Sequence, residues 1–115
     1  MEASLPIINR SYEVYKAIVQ LNDTLTKRWR YSLGASAENT VLDLLEYLIA
    51  AKNAPKPMKG PYLIKANTSL EIIRLKLRLF LELKLANETR IFQVQNQFEE
   101  IGRMLGGWLK SLNGQ

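Results

Sequence analysis

Near the C-terminus, Ile91, Val94, Phe98, Ile101, Leu105, Trp108 and Leu112 recur in steps of three and four. Side chains at that spacing stack on one side of an α-helix, so they draw a continuous stripe that must be buried against other helices. Gln93, Gln97, Glu100, Arg103 and Lys110 occupy the opposite side, which leaves one face of this helix for water or a partner. Earlier in the chain, Ile7, Val14, Ile18, Leu21 and Leu25 form a second stripe, flanked by Ile8, Tyr12, Tyr15 and Val19. This predicts a first helix from about Pro6, a favourable first-turn residue, to Asn22 or Asp23. A third stripe, Ala37, Val41, Leu44, Leu48 and Ala51 with Leu45 and Ile49 beside it, predicts a second helix from Ala35 to Lys52. Between these two helices, residues 24–34 read as a connection in which Ser32, Leu33 and Gly34 break the pattern.

The stretch from Asn53 to Pro61 holds three prolines, two lysines and a glycine, and predicts a long loop. A third helix is predicted from Tyr62 to Ala86, followed by a tight turn and a fourth helix that Asn87 caps and Glu88 favours through the helix dipole. A tight turn makes these two helices antiparallel neighbours, so the pattern predicts an all-α, up-down-up-down four-helix bundle spanning one domain, residues 1–115. The third helix is apolar on two sides. Leu70, Ile73, Leu77, Phe80 and Leu81 fall on one, and Ile72, Leu75, Leu79 and Leu83 fall nearly opposite. One side meets the core. The other requires a further surface, either a neighbouring helix or a second copy of the chain, and Ile72, Leu75, Leu79 and Leu83 are the candidate oligomer interface.

Composition narrows the chemistry. The chain has no Cys and no His, which removes thiolate metal sites, a cysteine nucleophile and the commonest general base at neutral pH. Glu71 and Glu82 lie three or four residues from Arg74 or Arg78, a spacing for surface ion pairs rather than for a poised acid and base. No enzyme activity, cofactor or metal is expected. Sixteen Lys and Arg against 11 Asp and Glu give a net charge of +5, which favours polyanionic partners. The start of the chain lacks the basic and apolar pattern of a secretory signal, and no apolar run of membrane-spanning length is free of charges, so a cytoplasmic, non-membrane protein is expected.

Two clusters are candidates for binding. Arg74 and Arg78 stand one turn apart in a strip with Glu71 and Glu82, suited either to plain ion pairing or to gripping a charged partner in a bidentate manner. Lys27, Arg28, Trp29, Arg30 and Tyr31 interleave cations and rings, a chemistry fit for phosphate contact and base stacking, and equally for a lid over the end of the core. Gly102 and Gly106 weaken the last helix unless a small face there admits another helix backbone.

Arg30-Tyr31-Ser32-Leu33-Gly34 and Gly102-Arg103-Met104-Leu105-Gly106-Gly107-Trp108 resemble segments of a small four-helix-bundle family. That family includes proteins encoded in intervening sequences of 23S ribosomal RNA genes and the accessory variability determinants of diversity-generating retroelements. The second segment, with the Leu-Arg pairs one turn apart in the third helix, is more similar to the accessory determinants. The resemblance implies a basic, barrel-like homopentamer without a reaction of its own. It would bind the element's reverse transcriptase together with RNA, and possibly DNA, in support of mutagenic cDNA synthesis and retrohoming. Arg74, Arg78, Lys27, Arg28, Arg30 and Arg103 are then the candidate contacts. The intervening-sequence branch of the family implies instead a general RNA-binding or structural module.

Overall fold

One apolar stripe from each of four long helices closes into a single dry core. The computed structural model describes residues 4–113; Met1, Glu2 and Ala3, part of the segment judged above not to be a secretory signal, lie outside the described residues. The elements are α1 (Ser4–Asn22), a one-turn α2 (Lys27–Trp29), a π turn (Arg30–Gly34), α3 (Ala35–Asn53), α4 (Lys56–Glu82) and α5 (Glu88–Asn113), with no strand among the described residues. The bundle measures 47 × 22 × 20 Å. Ile7, Ile18 and Leu21 of α1, Leu44 and Leu48 of α3, Leu63, Leu70, Ile73, Leu77 and Phe80 of α4, and Ile91, Phe98 and Ile101 of α5 are fully buried. Each side chain of that size stabilises the fold by about 1.5–3 kcal/mol on leaving water. Trp108 closes the end of the α5 stripe as a core residue.

Two predicted loops are helical. The connection expected over Asn53–Pro61 shrinks to Ala54 and Pro55, because α4 already starts at Lys56 and takes Pro57 into its first turn. Proline is tolerated there, since first-turn N–H groups have no intrahelical acceptor. Pro61 lies deeper, yet both it and Pro57 are exposed. The carbonyl of Pro57, four residues back and unable to receive a bond from Pro61, therefore meets water. Lys59 closes the junction from the other side, its Nζ donating to the carbonyls of Ala51 and Lys52 at 2.9 Å each. The connection expected over residues 24–34 shortens likewise to Asp23–Thr26, with the chain helical from Lys27. Gly34 does not break the helix. Its backbone is right-handed helical, and its missing side chain makes room: a Cβ would stand 3.0 Å from Oδ1 of Asn22 and 3.1 Å from Leu25.

The turn between α4 and α5 is fixed at both ends. Leu85 N–H donates to Phe80 O and Lys84 N–H to Leu81 O, the paired bonds of a Schellman C-cap. The left-handed position at its centre, usually glycine, is Lys84 at φ 55°. Asn87 then caps α5, its Oδ1 accepting from Arg90 N–H at 3.0 Å. Between α3 and α4 a lysine is drawn into the seam. Lys76 Nζ donates to Thr40 Oγ1 at 2.7 Å and to Ser36 O at 3.2 Å. Burial there pushes the Lys76 ammonium below its ordinary pKa of 10.5, with Asp43 pulling the other way.

Lys84→Gly relieves the left-handed strain and should stabilise the fold by roughly 0.5–1 kcal/mol, a rise of a few degrees in Tm; a fall in Tm would show that the lysine side chain contributes more than its backbone costs. For Lys76 the folded state holds its proton less tightly than the unfolded state. The penalty of burying the charge is therefore complete below the folded pKa and fades as pH rises toward 10.5. Urea midpoints should show the wild type gaining on Lys76→Met between neutral pH and that limit.

Candidate partner and nucleic-acid interface

α4 carries its polar strip on the flank that meets α5. Arg74 and Arg78 project from successive turns, and with Glu71 and Leu75 they line a shallow groove of about 280 Å³. The two arginines are not equivalent. Arg74 reaches across to α5, where its Nε lies 3.0 Å from Oε2 of Glu99. That nitrogen is buried and its N–H is not aimed at the carboxylate, so the contact is an ion pair rather than a hydrogen bond. Gly102 makes the crossing possible, because a Cβ there would collide with the Arg74 guanidinium and stand 3.3 Å from Leu70. Gly106 and Gly107, in contrast, face open space, so within the chain the small face admits one arginine side chain rather than a helix backbone. Among the described residues Arg78 pairs only with Glu82, one turn along its own helix at 3.0 Å, and its side chain is 69% exposed. A pair of that kind contributes a few tenths of a kcal/mol and is easily exchanged for a partner's carboxylate or phosphate. Arg103 is exposed one residue beyond Gly102.

The second candidate cluster divides as well. Lys27 and Arg28 are exposed on α2, with the Arg28 guanidinium 4.6 Å over the Trp29 ring. Trp29 packs against the core, which makes it the lid that the sequence left open as one alternative. Tyr31 is 68% exposed. Arg30 turns inward, donating to Leu25 O at 3.2 Å and Asp23 O at 3.4 Å, and it thereby ties down the end of α1. Beside it Asn22, fully enclosed, donates from Nδ2 to Gly34 O at 2.8 Å and to Oε2 of Glu38 at 2.7 Å. The π turn between them is closed by Ala35 N–H donating to Arg30 O. The corner is thus held from inside by Asn22 and Arg30, while Lys27, Arg28 and Tyr31 remain on its surface. Nothing in the periodicity of the sequence marked Asn22 or Glu38, since a polar residue at a helix end reads as solvated.

The outward face of α4 is apolar and uncovered within the chain. Leu70, Ile73, Leu77 and Phe80 are in the core, whereas Ile72, Leu75, Leu79 and Leu83 stay exposed, Leu75 at 56%. Ile64, 60% exposed, extends the same line toward the start of the helix through Thr68, at spacings of four, four, three, four and four. Its helical phase is visible in the sequence, but Ile64 stands just beyond the proline-rich stretch, apart from the rest of the line. No helix of the described residues is long and apolar enough to cross a membrane. No group of acidic residues among them is placed to hold a metal ion.

No curated protein matches the chain. A family model described as bAvd-like matches residues 6–112, from the first turn of α1 to the end of α5. The chain belongs to the bAvd-like family, the relatives of the accessory variability determinant.

Proposed function

We propose that this protein is the accessory component of a diversity-generating retroelement: a non-enzymatic, cytoplasmic scaffold that binds a reverse transcriptase and RNA, and possibly DNA, during mutagenic cDNA synthesis and retrohoming. The observation that carries the reading is the family match over residues 6–112. An up-down-up-down order of the four long helices is part of the proposal. Contacts along the α3–α4 seam support it, since Ser36 and Thr40 lie beside Lys76, and Tyr47 lies beside Lys65.

The scaffold works as a homo-oligomer, pentameric as in the accessory determinants, joined through the outward stripe of α4. An exposed apolar line of that length, at the spacing of a bundle seam, supports a second copy of the chain as its cover. Arg78 binds the reverse transcriptase, with Arg74 holding α4 in place behind it, and of the remaining candidate contacts Lys27, Arg28 and Arg103 are exposed for partner or nucleic acid. Repetition of these groups around a ring adds avidity that a single copy lacks.

Light scattering should find an oligomer at micromolar concentration. Leu75→Glu with Leu79→Glu should dissociate it while the helical circular dichroism spectrum is retained; a wild-type protein that runs as a monomer would refute the assembly. Arg78→Ala should leave Tm within about a degree, because an exposed pair is worth little, yet cut co-purification with the cognate reverse transcriptase. Loss of charge-assisted contacts desolvated in a complex costs about 2–5 kcal/mol, roughly 30-fold or more in affinity. Arg74→Ala should lower Tm as well as co-purification, and unchanged co-purification in both variants would assign the strip to ion pairing alone.

A further inference from the structure

The basic excess of this chain lies in two acid-free segments. Residues 47–70 and 101–115 contain six of the 16 Lys and Arg and none of the 11 Asp and Glu, so the acidic residues elsewhere slightly outnumber the remaining basic ones. In space these segments converge. Lys52 ends α3, Lys56 and Lys59 begin α4, and a groove lined by Lys56, Pro57, Gly60, Leu109 and Asn113 puts the end of α5, with Lys110, against the start of α4. Lys52, Lys56 and Lys110 are exposed, and none of the ion pairs among the described residues uses them. Lys59 is the exception. Its ammonium is held on the carbonyls of Ala51 and Lys52, where it offsets the negative end of the α3 dipole and leaves the positive start of α4 uncompensated.

We infer that this lysine-bearing end, formed by Lys52, Lys56 and Lys110, is a site for the phosphate backbone of nucleic acid, separate from the Lys27–Tyr31 corner and the Arg74–Arg78 strip. The inference rests on the nucleic-acid half of the reading above and gives it a different place. Lysines are compact point charges on flexible stems, suited to phosphate without a fixed orientation, so the contact inferred here is to the backbone and independent of sequence. The end is 22 × 20 Å across. A duplex carries one charge per roughly 1.7 Å of axis, so on the order of ten phosphates lie within its span. An anionic membrane is the less apt partner: the exposed apolar residues toward this end, Leu5, Ile49 and Met58, sit singly on three different helices, so no one helix offers an amphipathic face here.

Fluorescence anisotropy of a labelled RNA duplex, titrated with the full protein at roughly 50 to 200 mM salt, tests the site. Lys52→Gln, Lys56→Gln and Lys110→Gln together should weaken binding tenfold or more and flatten the log–log salt slope by about 0.9 for each lysine in contact. The same three positions changed to Arg should bind as the wild type does. Lys27→Gln with Arg28→Gln should lose less than the lysine-end variant, and circular dichroism melts should show all variants folded. Wild-type affinity in the triple Gln variant overturns the inference; if the corner variant has then lost binding, the nucleic-acid reading survives with the corner as its site. Failure of the wild type to bind RNA or DNA overturns both. Binding to phosphatidylserine vesicles without binding to nucleic acid also overturns the inference.

Discussion

α4 is held on both flanks, by α3 through Lys76, Thr40 and Ser36 and by α5 through Arg74, Glu99 and Gly102. Between those flanks its stripe from Leu63 to Phe80 is without solvent contact. A helix has only one circumference. With the core taking one side and two neighbours taking the next, what remains is the line through Ile64, Ile72, Leu75, Leu79 and Leu83, which no helix of the described residues covers. The surface chemistry of the molecule follows from that constraint. The apolar line faces outward, Arg78 stands at its border, and Arg74 is drawn in because Gly102 leaves it a slot.

The core was legible in the sequence because burial imposes a period. Ile91, Val94, Phe98, Ile101, Leu105 and Trp108 are buried as their spacing requires, and on α4 the same arithmetic separates Leu70 and Ile73 from Ile72 and Leu75. The signals that misled were those of single residues. Pro57 and Pro61 read as loop formers, but in the first turn the donor that Pro57 lacks has no partner to miss, and Pro61 forfeits only one bond, to the carbonyl of the exposed Pro57. Gly34 read as a break, but it serves as space for Asn22 and Leu25. Both errors come from treating a residue's conformational tendency as if no neighbour were present.

The candidate sites were less legible, for the same reason. Arg74 and Arg78 have the same residue type and nearly the same phase on one helix. Only the position of Glu99 on another helix makes one a bracing group and the other a free one. Arg30 shares a sequence cluster with Lys27 and Arg28 but spends its guanidinium on two backbone carbonyls. Ser11 interrupts the α1 stripe, buried and with no hydrogen-bond partner for its hydroxyl among the described residues, and an apolar pattern has no way to register it. Charge distribution along the chain, by comparison, needs no long-range contact to be read, which is why the acid-free segments are visible from composition alone.

The π turn at Arg30–Gly34 makes a helix that runs from Lys27 to Asn53 with one more residue per turn at that point than an α-helix has. Each residue in an α-helix advances the side-chain direction by about 100°. The wider turn spends five residues on an advance of about 400°, which an α-helix makes with four, so the helix on either side of it stays in phase. Loss of a single residue from the turn would restore an unbroken α-helix and leave Trp29 against the core with Lys27 and Arg28 outside it. The corner can therefore absorb a one-residue change in chain length without redirecting its charges, and among its relatives a gap of one residue here would disturb the presented surface less than a gap within α3.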